Sequence, residues 1–240
     1  MKYFVFILCF FKTSLAQGPM RENFWLIWNV GQGQWVTKVT NDHCQHFDFG
    51  GEPFQQRRLL SLFKTLCQNK INQLYLSHAD GDHYSYYPLI LKNTRKVCWG
   101  YKPLENLKMI QDKSSYCPSL PNSEFKVLHL NYKDKIKNAT STVIESQRLL
   151  IPGDSTQKEE KKWLQNLSAE NNIRILILGH HGSRTSTSRE LLQKLPQLKM
   201  AIASQRTKKY GHPHRDVRQK LKNFKIPLLL TESWGTILIE

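Results

Sequence analysis

From residue 24 onward, short apolar runs alternate with polar turns, and the period of the pattern changes along the chain. Residues 24–30, 35–40 and 44–49 read as three successive strands, bounded by Gly, Asn and Asp. Residues 57–67 switch to a helical period, with Leu59, Phe63, Leu66 and Cys67 on one face. A strand at 71–77 runs directly into a cluster of acids and histidines. Strands at 97–99 and 125–131 flank a loop-rich, basic insert at 101–123, and 142–145 with 148–151 predict a hairpin about Ser146-Gln147. Residues 156–171 predict a helix whose first turn holds Glu159 and Glu160, a placement that suits the helix dipole. Beyond it come a strand at 173–178, a helix at 186–195, a strand at 200–204 and a helix at 216–224. Strands at 228–230 and 236–239 close the chain. The first half is strand-rich and the second alternates strand and helix. With no linker, low-complexity tract or fixed-period repeat, the pattern predicts one α/β domain with sheets inside and helices outside.

Composition narrows this further. Of 240 residues, 40% are hydrophobic and 11% aromatic, enough for a packed core, which excludes global disorder. Lys and Arg number 35 against 19 Asp and Glu, a formal charge of +16. Such a balance predicts an anionic partner: nucleic acid, an acidic envelope polymer or a membrane surface. At the N-terminus, Met1-Lys2 precedes the apolar run 3–11, and Ser14-Leu15-Ala16 supplies a small-x-small cleavage site. This is the pattern of a secretory signal peptide over 1–16, leaving a mature domain at 17–240 that is secreted or periplasmic. A short N-terminal strand is the alternative, favoured by Lys12. The apolar run is too short to span a bilayer. Cleavage removes Lys2 and Lys12 and no acid, lowering the charge by two to +14. Cys44, Cys67, Cys98 and Cys117 then remain, permitting two disulfides in three connectivities, with free buried thiols as the alternative.

The chemistry concentrates at strand ends. The strand at 71–77 is followed by His78-Ala79-Asp80-Gly81-Asp82-His83, four potential ligands within six residues. Imidazole with carboxylate suits Zn²⁺ or Mn²⁺, and the absence of thiolate argues against a purely structural zinc. Residues i and i+2 of an extended segment point the same way, so His78 and Asp80 can share one ion while Asp82 and His83 serve a second. After the apolar run 149–151 comes Gly153-Asp154-Ser155, where Asp154 either bridges two metals or caps the following helix. After 175–178 comes Gly179-His180-His181-Gly182-Ser183. Gly182 lets backbone N–H groups approach an anion, and the helix from about Ser186 points its N-terminus to the same place. His212 is a candidate for the site, whereas His214 reads as solvent-facing or capping. His43, His46 and His129 read as structural.

Eight segments in order resemble the metallo-β-lactamase superfamily, and within it the ComEC-type competence-protein hydrolase domain. They are Asn29-Val30-Gly31-Gln32-Gly33-Gln34, Asp48-Phe49-Gly50-Gly51, the 77–83 cluster, Asn138-Ala139-Thr140-Ser141, Gly153-Asp154-Ser155, Gly179–Gly182 with Ser183, Gly211-His212-Pro213 and the 231–236 segment. The resemblance implies a single-domain, four-layer αββα sandwich with the site at the strand ends. It implies His78, Asp80, Asp82, His83, Asp154 and His180 as ligands of two divalent metal ions, Zn or Mn. It further implies that His181, Ser183 and His212, together with Asp82, orient or protonate the scissile group. Departures are Asn29 and Gln34, where the family usually has aspartates, and Tyr84-Ser85-Tyr86-Tyr87, where it usually has glycines. The tyrosines either offer a stacking surface for bases or pack beneath the insert.

These readings imply a secreted metal-dependent phosphodiesterase that hydrolyses DNA, or RNA, with a hydroxide activated between two ions. Arg206, Lys208, Lys209 and Tyr210, with the basic insert, would bind flanking phosphates. A hydrolase of another anionic or ester substrate is the enzymatic alternative, and a non-catalytic nucleic-acid binder the alternative of another class.

Overall fold

Strand alternation gives each early strand two apolar faces, and two apolar faces require two partners. In β1 (Phe24–Ile27), Phe24 and Leu26 pack one way and Ile27 the other; in β2 (Trp35–Val39), Trp35 and Val39 oppose Val36. The computed structural model, which describes residues 23–101, 116–117, 125–129, 137–146 and 148–240, shows how those faces are covered. The segment 1–16, nearly all of the basic insert, residues 130–131 and Gln147 lie outside the described residues.

The remaining strands are β3 (His43–Phe49), β4 (Ile71–Tyr75), β5 (Lys96–Trp99), β6 (Phe125–His129), β7 (Val143–Ser146), β8 (Leu149–Ile151), β9 (Ile175–Ile177), β10 (Met200–Ala203), β11 (Leu228–Leu230) and β12 (Ile237–Ile239). They form two six-stranded sheets, β12-β1-β2-β3-β4-β5 and β11-β10-β9-β8-β7-β6. Each half of the chain builds one sheet, except that β12 returns to pair antiparallel with β1. Pairing is parallel from β3 to β5 and from β8 to β11. Helices are α1 (Pro53–Cys67), α2 (Gly81–Tyr84), α3 (Tyr87–Asn93), α4 (Gln157–Trp163), α5 (Arg189–Gln193), α6 (Thr207–Tyr210), α7 (Arg215–Asn223) and α8 (Thr231–Trp234).

Three apolar interfaces result. Trp28, Trp35, Phe49 and Leu74 pack beneath Leu59 and Phe63 of α1 and Ile90 of α3. Ile27, Val36, Phe47 and Tyr75 meet Ile144, Ile151, Ile177 and Ile202 between the sheets. Leu150, Leu176 and Ala201 pack beneath Trp163 of α4, Leu191 of α5 and Leu221 of α7. Three buried interfaces make four layers, αββα. Disulfides Cys44–Cys67 and Cys98–Cys117 tie β3 to the end of α1 and β5 to residue 117.

Some boundaries differ from those the pattern predicts. Helix α1 begins at Pro53, a residue suited to a helix first turn. Helix α4 stops at Trp163 instead of running to 171, because side chains beyond it bond to backbone elsewhere. Asn166 donates to Leu128 O, and Asn171 donates to Ser168 O and Lys194 O. Helices α2, α3, α6 and α8 are too short to register as a period.

Candidate metal centre

The polar segments that follow β4, β8, β9 and β10 emerge at the C-terminal ends of parallel strands, so they meet at one edge between the sheets. Close backbone contact fixes the first of them. Gln34 N donates to Asp82 O at 3.0 Å, and a Cβ on Gly50 would lie 2.4 Å from His83 N, so only glycine fits there. After β9, His180 and His181 both adopt left-handed backbone, with φ of 49° and 54°. Such a pair is costly for non-glycine residues and persists only where surrounding contacts impose it. Gly182 follows at φ 83°, where a Cβ would lie 2.6 Å from Pro213 Cβ.

Asp154 is the hub. Its Oδ1 lies 3.1 Å from His83 Nε2 and 3.7 Å from His181 Nε2. Its Oδ2 lies 3.7 Å from both His78 Nε2 and His180 Nε2. Asp80 Oδ2 stands 3.3 Å from His78 Nε2, and Asp82 Oδ2 stands 3.1 Å from His181 Nε2. Asp154 Oδ2 thus faces His78 and His180 and its Oδ1 faces His83 and His181, and the donors close enough to share an ion form two overlapping groups, His78 with His83 and Asp154, and Asp82 with His83 and His181. Four of the converging atoms, the Nε2 of His78, His83 and His181 and Asp154 Oδ1, are buried without a hydrogen-bond partner. The 3.1 Å approach of His83 to Asp154 is close enough for a bond but is not aligned as one. Buried polar groups are rarely left unpaired, so a cluster of facing orphans is what a cation site requires. The donor set of imidazole nitrogen and carboxylate oxygen fits Zn²⁺ or Mn²⁺.

The same contacts shift the titration of these groups in the metal-free chain. Burial alone would raise the carboxyl of Asp154, but the His83 and His181 imidazoles hold it well below its ordinary value. Burial would likewise raise Asp82, but the nearby His181 and His83 imidazoles outweigh it and lower the carboxyl. His83 resists burial and is raised well above its usual value by Asp154 and Asp48. His180 and His212 are lowered, chiefly by burial, and stay neutral.

A supporting ring holds these groups. Asp48, at left-handed φ 54° beside the irregularity where β3 pairs with β2, is buried. Its Oδ1 accepts from Ser77 N at 2.7 Å; its Oδ2 accepts from Ser77 Oγ at 2.8 Å and Gln34 Nε2 at 2.7 Å. The same Oδ2 lies 2.7 Å from His83 Nδ1, so the other ring nitrogen of His83 is the one turned to Asp154. His181 Nδ1 bonds Ser204 O at 3.1 Å, and Asp154 N donates to Ser141 Oγ at 3.1 Å. Asn138 and Thr185 flank His180, each with a contact at 3.3 Å. Asp48 has no role in the sequence reading. Its signal was a carboxylate at a strand end before Gly50-Gly51.

The other candidates divide. His212 lies beside His180, with ring centroids 6.4 Å apart, and its Nδ1 is buried without a partner. The Ser183 hydroxyl pairs with Thr185 at 3.0 Å. Arg206 Nη1 and Lys209 Nζ bind Glu52 Oε1 at 2.9 and 3.5 Å, so part of the predicted phosphate-binding charge is already neutralised. Lys208 and Tyr210 are exposed. Of the tyrosines after His83, Tyr86 and Tyr87 are buried under α1 and α3, which leaves only half-buried Tyr84 toward the surface. The helix expected from Ser186 begins at Arg189, and the N–H groups of Thr187 and Ser188 are taken by Glu160 at 2.6 and 2.7 Å. They are therefore not offered to an anion. His214 caps α7, as expected, accepting from Asp216 N. Cys44, His46 and Cys67 lie close enough to hold a metal, but the cysteines are bonded to each other and His46 is hydrogen-bonded on both nitrogens.

No family model matches the chain. The structure is similar to that of the metallo-β-lactamase fold protein YhfI from Bacillus subtilis, with a TM-score of 0.56 and 13% identity over 89% of this chain and 98% of that one. The chain has the metallo-β-lactamase fold. In sequence, this metallo-β-lactamase-fold chain is similar to ComE operon protein 3 of Bacillus subtilis, 27% identical over 239 residues, 87% of the chain and 30% of that protein. It is also similar to competence protein ComA of Neisseria gonorrhoeae, 24% identical over 228 residues, 91% of the chain and 32% of that protein. The chain thus spans about a third of the length of these curated relatives. Both the fold and the competence-protein resemblance read from the eight segments are found in these comparisons. Among the described residues, no helix is long and apolar enough to cross a membrane.

Proposed function

We propose that the chain is a metal-dependent phosphodiesterase that hydrolyses DNA outside the cytoplasm. The carrying observation is that unpartnered His78, His83, His181 and Asp154 atoms meet in two adjoining donor clusters joined at His83. His78, Asp80 and His180 with Asp154 Oδ2 would hold one divalent ion, of Zn or Mn, and Asp82, His83 and His181 with Asp154 Oδ1 a second. His181 thus joins the ligands here instead of the proton-handling group assigned to it from sequence. When bound, such ions supply Lewis acidity that acidifies water and neutralises phosphoryl charge. The chain's own contribution is orientation and proton handling. Asp48 and Ser204 fix which nitrogens of His83 and His181 face inward. Neutral His212, with an unpartnered Nδ1, would take a proton released by the attacking water and, once protonated, could give it to the leaving oxygen. Ser183 steadies the His181 turn through Thr185.

A DNA substrate is supported by the net charge of +16 and by the competence relatives. Two disulfides support an oxidising compartment, in keeping with the signal-peptide pattern at 1–16. The test is incubation of EDTA-stripped protein with linear DNA, plasmid DNA and RNA, with Mn²⁺ or Zn²⁺ restored. Cleavage by the native chain and its loss in Asp82→Ala is the expected result. No cleavage with either metal, or full cleavage by the variant, overturns the proposal.

A further inference from the structure

Beside the metal centre lies a surface whose character differs from the rest of the basic exterior. Helix α6 sits between Ser204, whose carbonyl bonds His181, and His212. Tyr210 at its end is 42% exposed, and Phe54, at the start of α1, is 50% exposed. The Arg206 guanidinium lies 5.3 Å from the Phe54 ring centroid, and Lys209 Nζ lies 4.9 Å from that of Tyr210. Both cations are held from beneath by buried Glu52, which also accepts from Gln32 N. Thr207 N donates to Glu232, on α8, where Trp234 is 40% exposed. Three large aromatic side chains are therefore presented to solvent around one rim by elements bonded to one another.

Charge alone does not explain this surface. Arg206 and Lys209 share one carboxylate, Glu52, and Glu232 is bonded to Thr207 N between them, so the three cations of 206–209 exceed the carboxylates beside them by a single charge. Affinity for a duplex rests on many phosphate contacts, each adding to the salt dependence, and one uncompensated cation gives little of that. Aromatic faces do something else: they stack on any unpaired base, at about fivefold or more in affinity per base. Bases in a duplex already stack on their neighbours and leave no face free. We infer that this rim is a stacking platform for single-stranded nucleic acid, on which Phe54, Tyr210 and Trp234 hold unpaired bases while Lys208 meets a phosphate. The inference rests on the phosphodiesterase reading and names its substrate class.

The test is fluorescence anisotropy with a labelled oligo-dT strand and a labelled duplex of equal length, in EDTA so that nothing is cut. The native chain binds the single strand at least about tenfold more tightly. Tyr210→Ala and Trp234→Ala each weaken single-strand binding about fivefold or more, leave duplex binding and the salt slope unchanged, and Tyr210→Phe restores binding. Equal losses on strand and duplex, or none on either, overturn the inference. Mn²⁺-dependent cleavage of the oligo-dT strand and of plasmid by the native chain is measured alongside. If cleavage persists while the aromatic variants bind normally, only the stacking platform is lost; if no cleavage occurs, the phosphodiesterase reading itself fails.

Discussion

Asp48→Asn isolates the contribution of the supporting ring to the metal centre. Asparagine tolerates the left-handed backbone found at φ 54°, so the substitution changes the carboxylate and little else. With its carbonyl oxygen in the Oδ2 position, the new side chain keeps Gln34, Ser77 Oγ and His83 as donors. Its amide then faces Ser77 N, a donor against a donor at the site of a 2.7 Å bond. Leaving that buried N–H unpaired costs about 2 kcal/mol, and exchanging charged for neutral acceptance at the other three bonds adds about 1 kcal/mol. Urea unfolding of metal-free protein therefore shows a loss of about 3 kcal/mol. The functional consequence is larger than the stability loss suggests, because the group that fixes His83 is a partner of a candidate ligand. Loss of such partners lowers metal affinity about 10- to 100-fold. Competition of Zn²⁺ between the protein and a fluorescent chelator measures this directly. If the variant is destabilised yet binds Zn²⁺ as tightly as the native chain, Asp48 is scaffold alone and the reasoning is refuted.

Two further predictions concern the fold. His46 is fully buried and neutral, accepting at Nδ1 from Trp35 and Thr37 and donating at Nε2 to Asn72, and burial pulls its pKa down from 6.5 to about 4. Between those values the unfolded chain binds a proton that the folded chain does not. Stability is therefore complete above about pH 6.5 and falls by about 3 kcal/mol as the pH drops to 4. Urea midpoints over that range should show a shallower pH slope for His46→Gln, and identical slopes would sink the assignment. The Cys44–Cys67 disulfide closes a loop with a sequence separation of 23, worth about 3 kcal/mol by restriction of the unfolded chain. Urea unfolding of the double Cys→Ser variant should reveal that loss, and native stability in the variant would contradict it.

Much of the layering was legible because strand alternation leaves its mark on every β residue, as in Leu26 against Ile27 and Val36 against Val39. The 77–83 cluster was legible because its donors are adjacent in sequence and follow an apolar strand. Asp48 was not, since its meeting with His83 spans 35 residues and depends on a local irregularity that turns its side chain inward. Nor could sequence show that His180 and His181 turn to different oxygens of Asp154, because their directions follow from two consecutive left-handed residues. Of the two readings open for the tyrosines at 86 and 87, packing is the one found, and α3 is too short to reveal its inner face in sequence. Pairing of Arg206 and Lys209 with Glu52 was equally hidden. Charge can be counted in a sequence, but its neutralisation by a residue about 150 positions away cannot.

The most direct measurement is cleavage of linear DNA by EDTA-stripped protein, with and without restored Mn²⁺, for the native chain and for Asp154→Ala. The account predicts cleavage only by the native chain and only with metal, since both candidate ion positions share the Asp154 carboxylate. Cleavage that survives EDTA, or that Asp154→Ala retains in full, would contradict it.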